Sequence, residues 1–235
     1  MKMDGERFNS KLIEIETINE NTKILKFSVP PSFEFKAGQY VTLALYRGDK
    51  RILRSYSIFS SPNEKGYILI YFKKVEDGFA SNKLFNMEIG EEIEMKGPMG
   101  FFTTKDINKD LIFISSGTGF APVRSMVLNA LQNNSKNKII LIRGYRIESS
   151  LCYEDELKTL KSKYKNFEYF NILSKPLDKD YSLTGHVQDF LEKLIPRGFM
   201  GDFYMCGLKE MVNGVKEKLN EMGFSKEQIF FERYD

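Results

Sequence analysis

Over roughly the first hundred positions, apolar and polar residues alternate in short runs. Phe8–Glu16, Thr22–Val29, Tyr40–Leu45, Ser55–Ser60, Tyr67–Val75 and Glu92–Lys96 each alternate or cluster apolar side chains, as half-buried strands do. Turn residues separate them: Pro30-Pro31, Lys36-Ala37-Gly38, Arg47-Gly48-Asp49, Ser61-Pro62-Asn63 and Gly97-Pro98. Short strands at this spacing predict a closed antiparallel barrel, interrupted by one helix at Phe79–Phe85 after Asp77-Gly78.

Beyond the charged stretch Lys105–Asp110 the period changes. Leu111–Ser115 is a continuous apolar run, followed by a helical pattern over Pro122–Asn133; Lys138–Arg143 precedes a second helix, Glu154–Lys163. Glu168–Leu173 precedes Val187–Leu194, Gly201–Cys206 precedes Lys209–Met222, and Ile229–Glu232 ends the series as a last strand. Buried strands alternating with helices predict a doubly wound parallel sheet. The fold expected is therefore two-domain: a β-barrel over residues 1–104 and an α/β parallel-sheet domain over 105–235.

Composition narrows the function. Basic and acidic residues number 35 and 32 in total, and 15 against 14 before Thr104, so neither half is a basic block. Nucleic-acid binding, which needs a concentrated basic stripe, is not expected. Cys152 and Cys206 are the only cysteines, too few for the four ligands of an iron–sulfur cluster or a structural zinc. Their scarcity suits a reducing cytoplasm. The start Met1–Glu6 lacks the apolar core of a signal peptide, and no apolar run reaches transmembrane length; a cytoplasmic location is the expectation. The single histidine, His186, follows Thr184-Gly185 at a helix start, which argues against Ser-His-Asp hydrolysis.

Three short stretches carry chemistry. Gly117-Thr118-Gly119-Phe120-Ala121-Pro122 lies between the first buried strand and the first helix of the second half. Glycines there let backbone approach a phosphate, free amides at a helix start attract the anion, and Pro122 suits a first turn. A plain glycine turn between strand and helix would read the same way. Arg54-Ser55-Tyr56-Ser57 offers a guanidinium for a diphosphate and a phenol face for an aromatic ligand, although a barrel strand with one exposed Arg is the simpler alternative. Gly78-Phe79-Ala80-Ser81 again sets glycine and a hydroxyl at a helix start, as an ordinary cap would.

Together these residues resemble the ferredoxin–NADP reductase family of flavoproteins, in order and along nearly the whole chain. Arg54-Ser55-Tyr56-Ser57 looks like its R-x-Y-S flavin motif, Tyr71-Phe72-Lys73 its flavin-contacting strand and Gly78-Phe79-Ala80-Ser81 its pyrophosphate turn. Gly117–Pro122 resembles its nicotinamide motif; Tyr204-Met205-Cys206-Gly207-Leu208-Lys209 and Phe231-Glu232-Arg233-Tyr234 also fit. The resemblance implies that Arg54 holds the FAD pyrophosphate, Tyr56 stacks on the isoalloxazine and Ser57 bonds near its N5, with Ser55, Tyr71, Phe72, Lys73, Gly78, Phe79, Ala80 and Ser81 completing the cradle. It implies too that Gly117, Thr118, Gly119, Ala121, Pro122 and Gly207 receive the nicotinamide half. Cys206 then lies by its C4, Glu232 near Ser57, and Tyr234 over the flavin face. Asp235 follows Tyr234, whereas the family's terminal aromatic often ends the chain.

Hydride transfer requires two stacked rings at near-attack distance, so a cleft between the two domains is where such a site belongs. Ser174-Lys175, after the strand Glu168–Leu173, matches the Ser-Arg that holds a 2′-phosphate in NADP-using relatives; with Arg146 it favours NADP(H) over NAD(H). Asp178 and Asp180 lie near enough to weaken that argument. The expected activity is hydride exchange between NADP(H) and FAD, with single electrons passed to or from a separate carrier such as ferredoxin or flavodoxin. The alternatives are an NADH-dependent reductase component of an oxygenase, an NAD(P)H:flavin reductase, a non-catalytic nucleotide-sensing or electron-transfer subunit, and a Rossmann-like binding module without flavin.

Overall fold

The computed structural model describes residues 5–133 and 136–234; Met1–Asp4 and Asp235, and the sequence arguments resting on them, lie outside the described residues. The described residues form two compact units: 5–103 with 124–129, and 104–123 with 130–133 and 136–234.

The first unit is built on six strands: β1 (Glu6–Asn19), β2 (Thr22–Ser28), β3 (Tyr40–Arg47), β4 (Lys50–Ser57), β5 (Tyr67–Lys73) and β6 (Glu92–Met99). They form one antiparallel sheet in the order β4-β3-β6-β1-β2-β5. The end strands meet just beyond β4, at an isolated antiparallel bridge between Ile58 and Ile70 and a bond from Phe59 N to Leu69 O at 2.8 Å. Barrel closure therefore rests on a short contact and not on a full ladder. Alternate residues point inward, so Leu12, Leu25, Phe27, Val41, Leu43, Ile68, Ile70 and Met95 fill the interior. The helix α1 (Phe79–Phe85) begins and ends where the sequence pattern predicts.

The second unit carries β7 (Leu111–Ser116), β8 (Ile139–Tyr145), β9 (Phe167–Leu173), β10 (Asp202–Leu208) and β11 (Ile229–Tyr234), with helices α2 (Phe120–Gln132), α3 (Glu154–Lys163), α4 (Leu191–Leu194) and α5 (Lys209–Glu221). All strand pairs are parallel, in the order β11-β10-β7-β8-β9. β7, β8 and β10 lie inside the sheet and are buried on both faces, which explains their unbroken apolar runs. Val212, Val215 and Leu219, at helical spacing on α5, pack with Ile112, Ile114, Ile140 and Ile142 from one face. The chain leaves β7 toward β8 on one side and later returns to β10 on the other. The switch point lies between the carboxyl ends of β7 and β10, where ligands bind in open α/β sheets.

His186 caps the short 3₁₀ turn Val187–Phe190: its own amide donates to Asp189 Oδ2 at 2.8 Å while its side chain takes the amide of Asp189. That is a structural role. Among the described residues no helix is long and apolar enough to cross a membrane.

Candidate functional site

In the first unit, β4 is an edge strand, and its residues from Lys50 to Ser55 are largely exposed. Arg54 stands on this strand with its Nη1 donating only to the carbonyl of neighbouring Leu53 at 2.8 Å, and no carboxylate among the described residues pairs with it. Such a guanidinium keeps its charge available for an external anion. Ser55 shares a hydroxyl contact of 3.0 Å with Thr42. Tyr56 turns inward, edge-on to Phe72 at 6.2 Å, and burial pushes its hydroxyl up to about 12 against a smaller opposing pull from Arg54. Ser57 and Tyr71 are buried, Phe72 is part of the core, and Lys73 ends β5 exposed. The strand thus carries a free cation, a held phenol ring and a buried hydroxyl in succession.

The turn before α1 is shaped by its own side chains. A Cβ on Gly78 would lie 2.8 Å from Ser81 Oγ and 2.9 Å from Val75 Cβ, so only glycine fits. Ser81 Oγ receives the amide of Val75 at 2.9 Å and lies 3.1 Å from the carbonyl of Gly78, so this hydroxyl closes the turn. Asn82, which the sequence reading passed over, donates from Nδ2 to the carbonyls of Val75 (2.8 Å) and Gly78 (2.9 Å). An amide side chain one residue after a helix-start hydroxyl was the only available signal. Ala80 is buried behind the turn, and Phe79 faces the guanidinium of Arg47 at 5.7 Å.

In the second unit, β7 runs into a 3₁₀ turn, Gly117–Gly119, which continues directly into α2. A Cβ built on Gly119 would sit 2.2 Å from the carbonyl oxygen of Cys206 and 2.6 Å from Gly207 Cα. On Gly207 (φ +151°) it would sit 2.2 Å from Ser116 Oγ. The hydroxyl of Ser116 also accepts the amide of Leu208 at 3.1 Å. The carboxyl ends of β7 and β10 are therefore interlocked through two glycines, at the switch point. Gly117 has φ +53° and open space where a side chain would be, which leaves its backbone accessible to a ligand. Phe120, Ala121 and Pro122 are buried beneath the turn, and Thr118 is half-buried.

Parallel register places Cys206 between Ser115 of β7 and Glu232 of β11, with Leu208 opposite Tyr234. Burial pushes the Cys206 thiol far up, and the charge of Glu232 adds to that; hydrogen bonds from the Tyr234 side chain and the Gly207 amide pull the other way. Burial and that charge both disfavour the thiolate form of Cys206. Partial burial likewise raises the Glu232 carboxyl above its ordinary range. Ser115 Oγ is buried beside this group without a protein partner.

At the other side of the sheet, Arg143 is completely buried on β8. It pairs with Glu154, donates to Asn171 Oδ1 at 3.0 and 2.8 Å and to the Cys152 carbonyl at 2.8 Å, while Asn171 Nδ2 donates to Glu154 at 2.9 Å. Beyond it the ends of β8 and β9 stay zipped: Ser174 N bonds Tyr145 O at 3.0 Å and Lys175 N bonds Arg146 O at 2.8 Å. The side chains of Arg146 and Lys175 are exposed there, and among the described residues neither has an acidic partner. Removing one member of the buried pair leaves the other charge uncompensated. Glu154→Ala is expected to destabilise this unit by about 3 kcal/mol, read by chemical denaturation; a loss below about 1 kcal/mol would make the pair dispensable.

The family model of the oxidoreductase FAD-binding domain matches residues 9–104, and that of the oxidoreductase NAD-binding domain matches residues 113–217. An NADH-cytochrome b5 reductase 1 of Dictyostelium discoideum is 30% identical over 220 residues, covering 91% of this chain and 77% of that protein. The chain belongs to the ferredoxin–NADP reductase family. As a member it is an FAD- and NAD(P)-binding oxidoreductase of two domains. The electron transfer component of anthranilate 1,2-dioxygenase from Acinetobacter baylyi is 28% identical over 226 residues, 94% of this chain. This chain spans only 65% of the length of that relative. A ferredoxin NADP+ reductase from Neisseria gonorrhoeae, solved with FAD and NADP, superposes with a TM-score of 0.86 at 23% identity, covering 98% of this chain and 99% of that one. That likeness establishes the fold.

Proposed function

We propose that this chain carries hydride between NADP(H) and tightly held FAD and exchanges single electrons with a separate carrier such as ferredoxin or flavodoxin. The observation that carries the coenzyme choice is the pair Arg146 and Lys175, two exposed residues joined by a backbone hydrogen bond beyond β8 and β9, with no acid paired to either among the described residues. A dianionic 2′-phosphate needs such a pair, and Ser174 adds a hydroxyl beside it. Asp178, an acid near this pair, accepts the amide of Asp180 at 3.0 Å through Oδ1.

Bound FAD supplies two-electron acceptance with one-electron release. On this reading Arg54 neutralises the pyrophosphate, Tyr56 lies against the flavin ring, and the turn Val75–Gly78 shapes the diphosphate path. Ser57 offers a hydroxyl near N5. Gly117 and Thr118 receive the nicotinamide half, Cys206 lies beside its C4, and Tyr234 covers the flavin face that the nicotinamide must occupy. Glu232, holding its proton further toward neutral pH than an ordinary carboxyl, is suited to store the proton that accompanies reduction. The barrel domain over 1–104 would hold FAD and 105–235 the coenzyme.

A second reading is supported by the names of relatives: an NADH-dependent reductase component of an oxygenase, as with the anthranilate dioxygenase component, or a b5-type reductase. The purified yellow chain is expected to reduce ferricyanide by itself, with kcat/KM for NADPH at least about tenfold above NADH, since one charge-assisted contact contributes on the order of 1.5–3 kcal/mol. A clear NADH preference would overturn the coenzyme choice. A yellow but inert preparation would point to a subunit of a larger complex, and a chain that cannot be loaded with FAD to a binding module.

A further inference from the structure

We infer that Glu148 is a positioning residue for coenzyme selection: its carboxylate holds the loop after β9 so that Lys175 stands beside Arg146. This rests on the NADP(H) reading above. The loop from Lys175 to Ser182 has little apolar anchorage, with Leu177 at 77% exposure. Its course depends on polar contacts. Lys175 N reaches Arg146 O, and the two amides that follow Pro176 are both taken by Glu148: Leu177 N lies 2.9 Å from Oε1 and 3.0 Å from Oε2, and Asp178 N lies 3.0 Å from Oε1. Farther on, Tyr181 OH donates to Asn171 O at 3.0 Å. Glu148 is therefore the clamp nearest to Lys175 on the downstream side.

The same contacts settle where its charge is directed. An acid two residues from Arg146 would ordinarily weaken an anion site. Here the carboxylate faces two backbone amides, and among the described residues it forms no ion pair with Arg146 or Lys175. Those bonds also hold the carboxyl below the ordinary range, as expected for an acceptor of amides. Two physical effects then predict opposite signs. If Glu148 acts as a nearby negative charge, removing it tightens 2′-phosphate binding. If it acts as the clamp, removing it lets Lys175 drift and weakens that binding.

The test is calorimetric titration of the FAD-loaded full chain with adenosine 2′,5′-bisphosphate and with adenosine 5′-monophosphate. Wild type is expected to favour the bisphosphate. In Glu148→Ala that preference should fall about tenfold, the scale of losing charge-assisted bonds, with 5′-monophosphate affinity within about twofold. Glu148→Gln keeps an Oε1 that can accept both amides and should stay within about threefold of wild type. In steady state the same alanine variant should raise KM for NADPH at nearly unchanged kcat. An alanine variant that binds the bisphosphate as well as or better than wild type overturns the inference, as does equal loss for both nucleotides. A wild-type chain without preference for the bisphosphate instead removes the NADP(H) reading, and this inference with it.

Discussion

Gly119→Ala is expected to slow reduction of the bound flavin by NADPH roughly a hundredfold or more while leaving the FAD in place. The added methyl would lie 2.2 Å from the carbonyl oxygen and 2.4 Å from the carbonyl carbon of Cys206, and 2.6 Å from Gly207 Cα. All three are backbone atoms, so no side-chain rotation relieves the overlap. Nor can Gly207 retreat toward β7, because its own position is closed by Ser116, whose Oγ and amide lie 2.2 and 2.9 Å from where a Cβ would be. The ends of β7 and β10 must part by about an ångström, and displacement on that scale is enough to cost about two orders of magnitude in a positioned reaction. Overpacking of this kind also costs about 1–3 kcal/mol of stability. Stopped-flow absorbance at the flavin band reads the rate directly. A rate near that of wild type would mean the interlock does not set the coenzyme's position.

Arg54→Ala is the complementary experiment on the other unit. Because Arg54 is exposed and bonds only the carbonyl of Leu53, its loss should leave the fold of the flavin-free protein unchanged. Its loss from a diphosphate contact should cost on the order of 1.5–3 kcal/mol, about tenfold to a hundredfold in FAD affinity. Arg54→Lys restores the charge without the planar fork and is expected to recover only part of it. Retained flavin after dialysis, followed by fluorescence of the released fraction, measures both variants. Unaltered retention in the alanine variant would remove Arg54 from the FAD site.

Much of this protein was legible in the order of its residues. Period-two alternation located the six strands of the first sheet, because a sheet with one buried face dictates its side chains pairwise. Continuous apolar runs at Leu111, Lys138 and Gly201 located the inner strands of the second, because strands covered on both faces admit few polar residues. Even the bounds of α1 and α3 follow from their patterns. Strand ends were less legible: β4 starts at Lys50, five residues before the apolar run, since an exposed edge strand needs no alternation to pair. The family motifs were likewise readable, being local and short.

What the linear order could not supply is where spent and unspent polar groups lie. Ser81 reads as a hydroxyl at a helix start, and only the fold shows that it closes the turn at Val75 and Gly78. Nor does the order of residues show that Asp178 accepts the amide of Asp180. Arg143 reads as the end of an apolar run, yet it is the buried partner of Glu154.

By itself, then, the sequence determined the two-domain architecture and the order of the motifs, and the resemblance of those motifs to a known family implied the class of cofactor, because periodicity and short motifs are properties of neighbouring residues. Tertiary structure alone decided that Gly119 must lack a side chain on account of Cys206, that the backbones of Arg146 and Lys175 meet with both side chains exposed, and that Glu148 accepts the amides of the loop after Lys175. The reason is physical: a hydrogen bond or a steric contact depends on distance in space, and these partners are brought together only by packing of the parallel sheet.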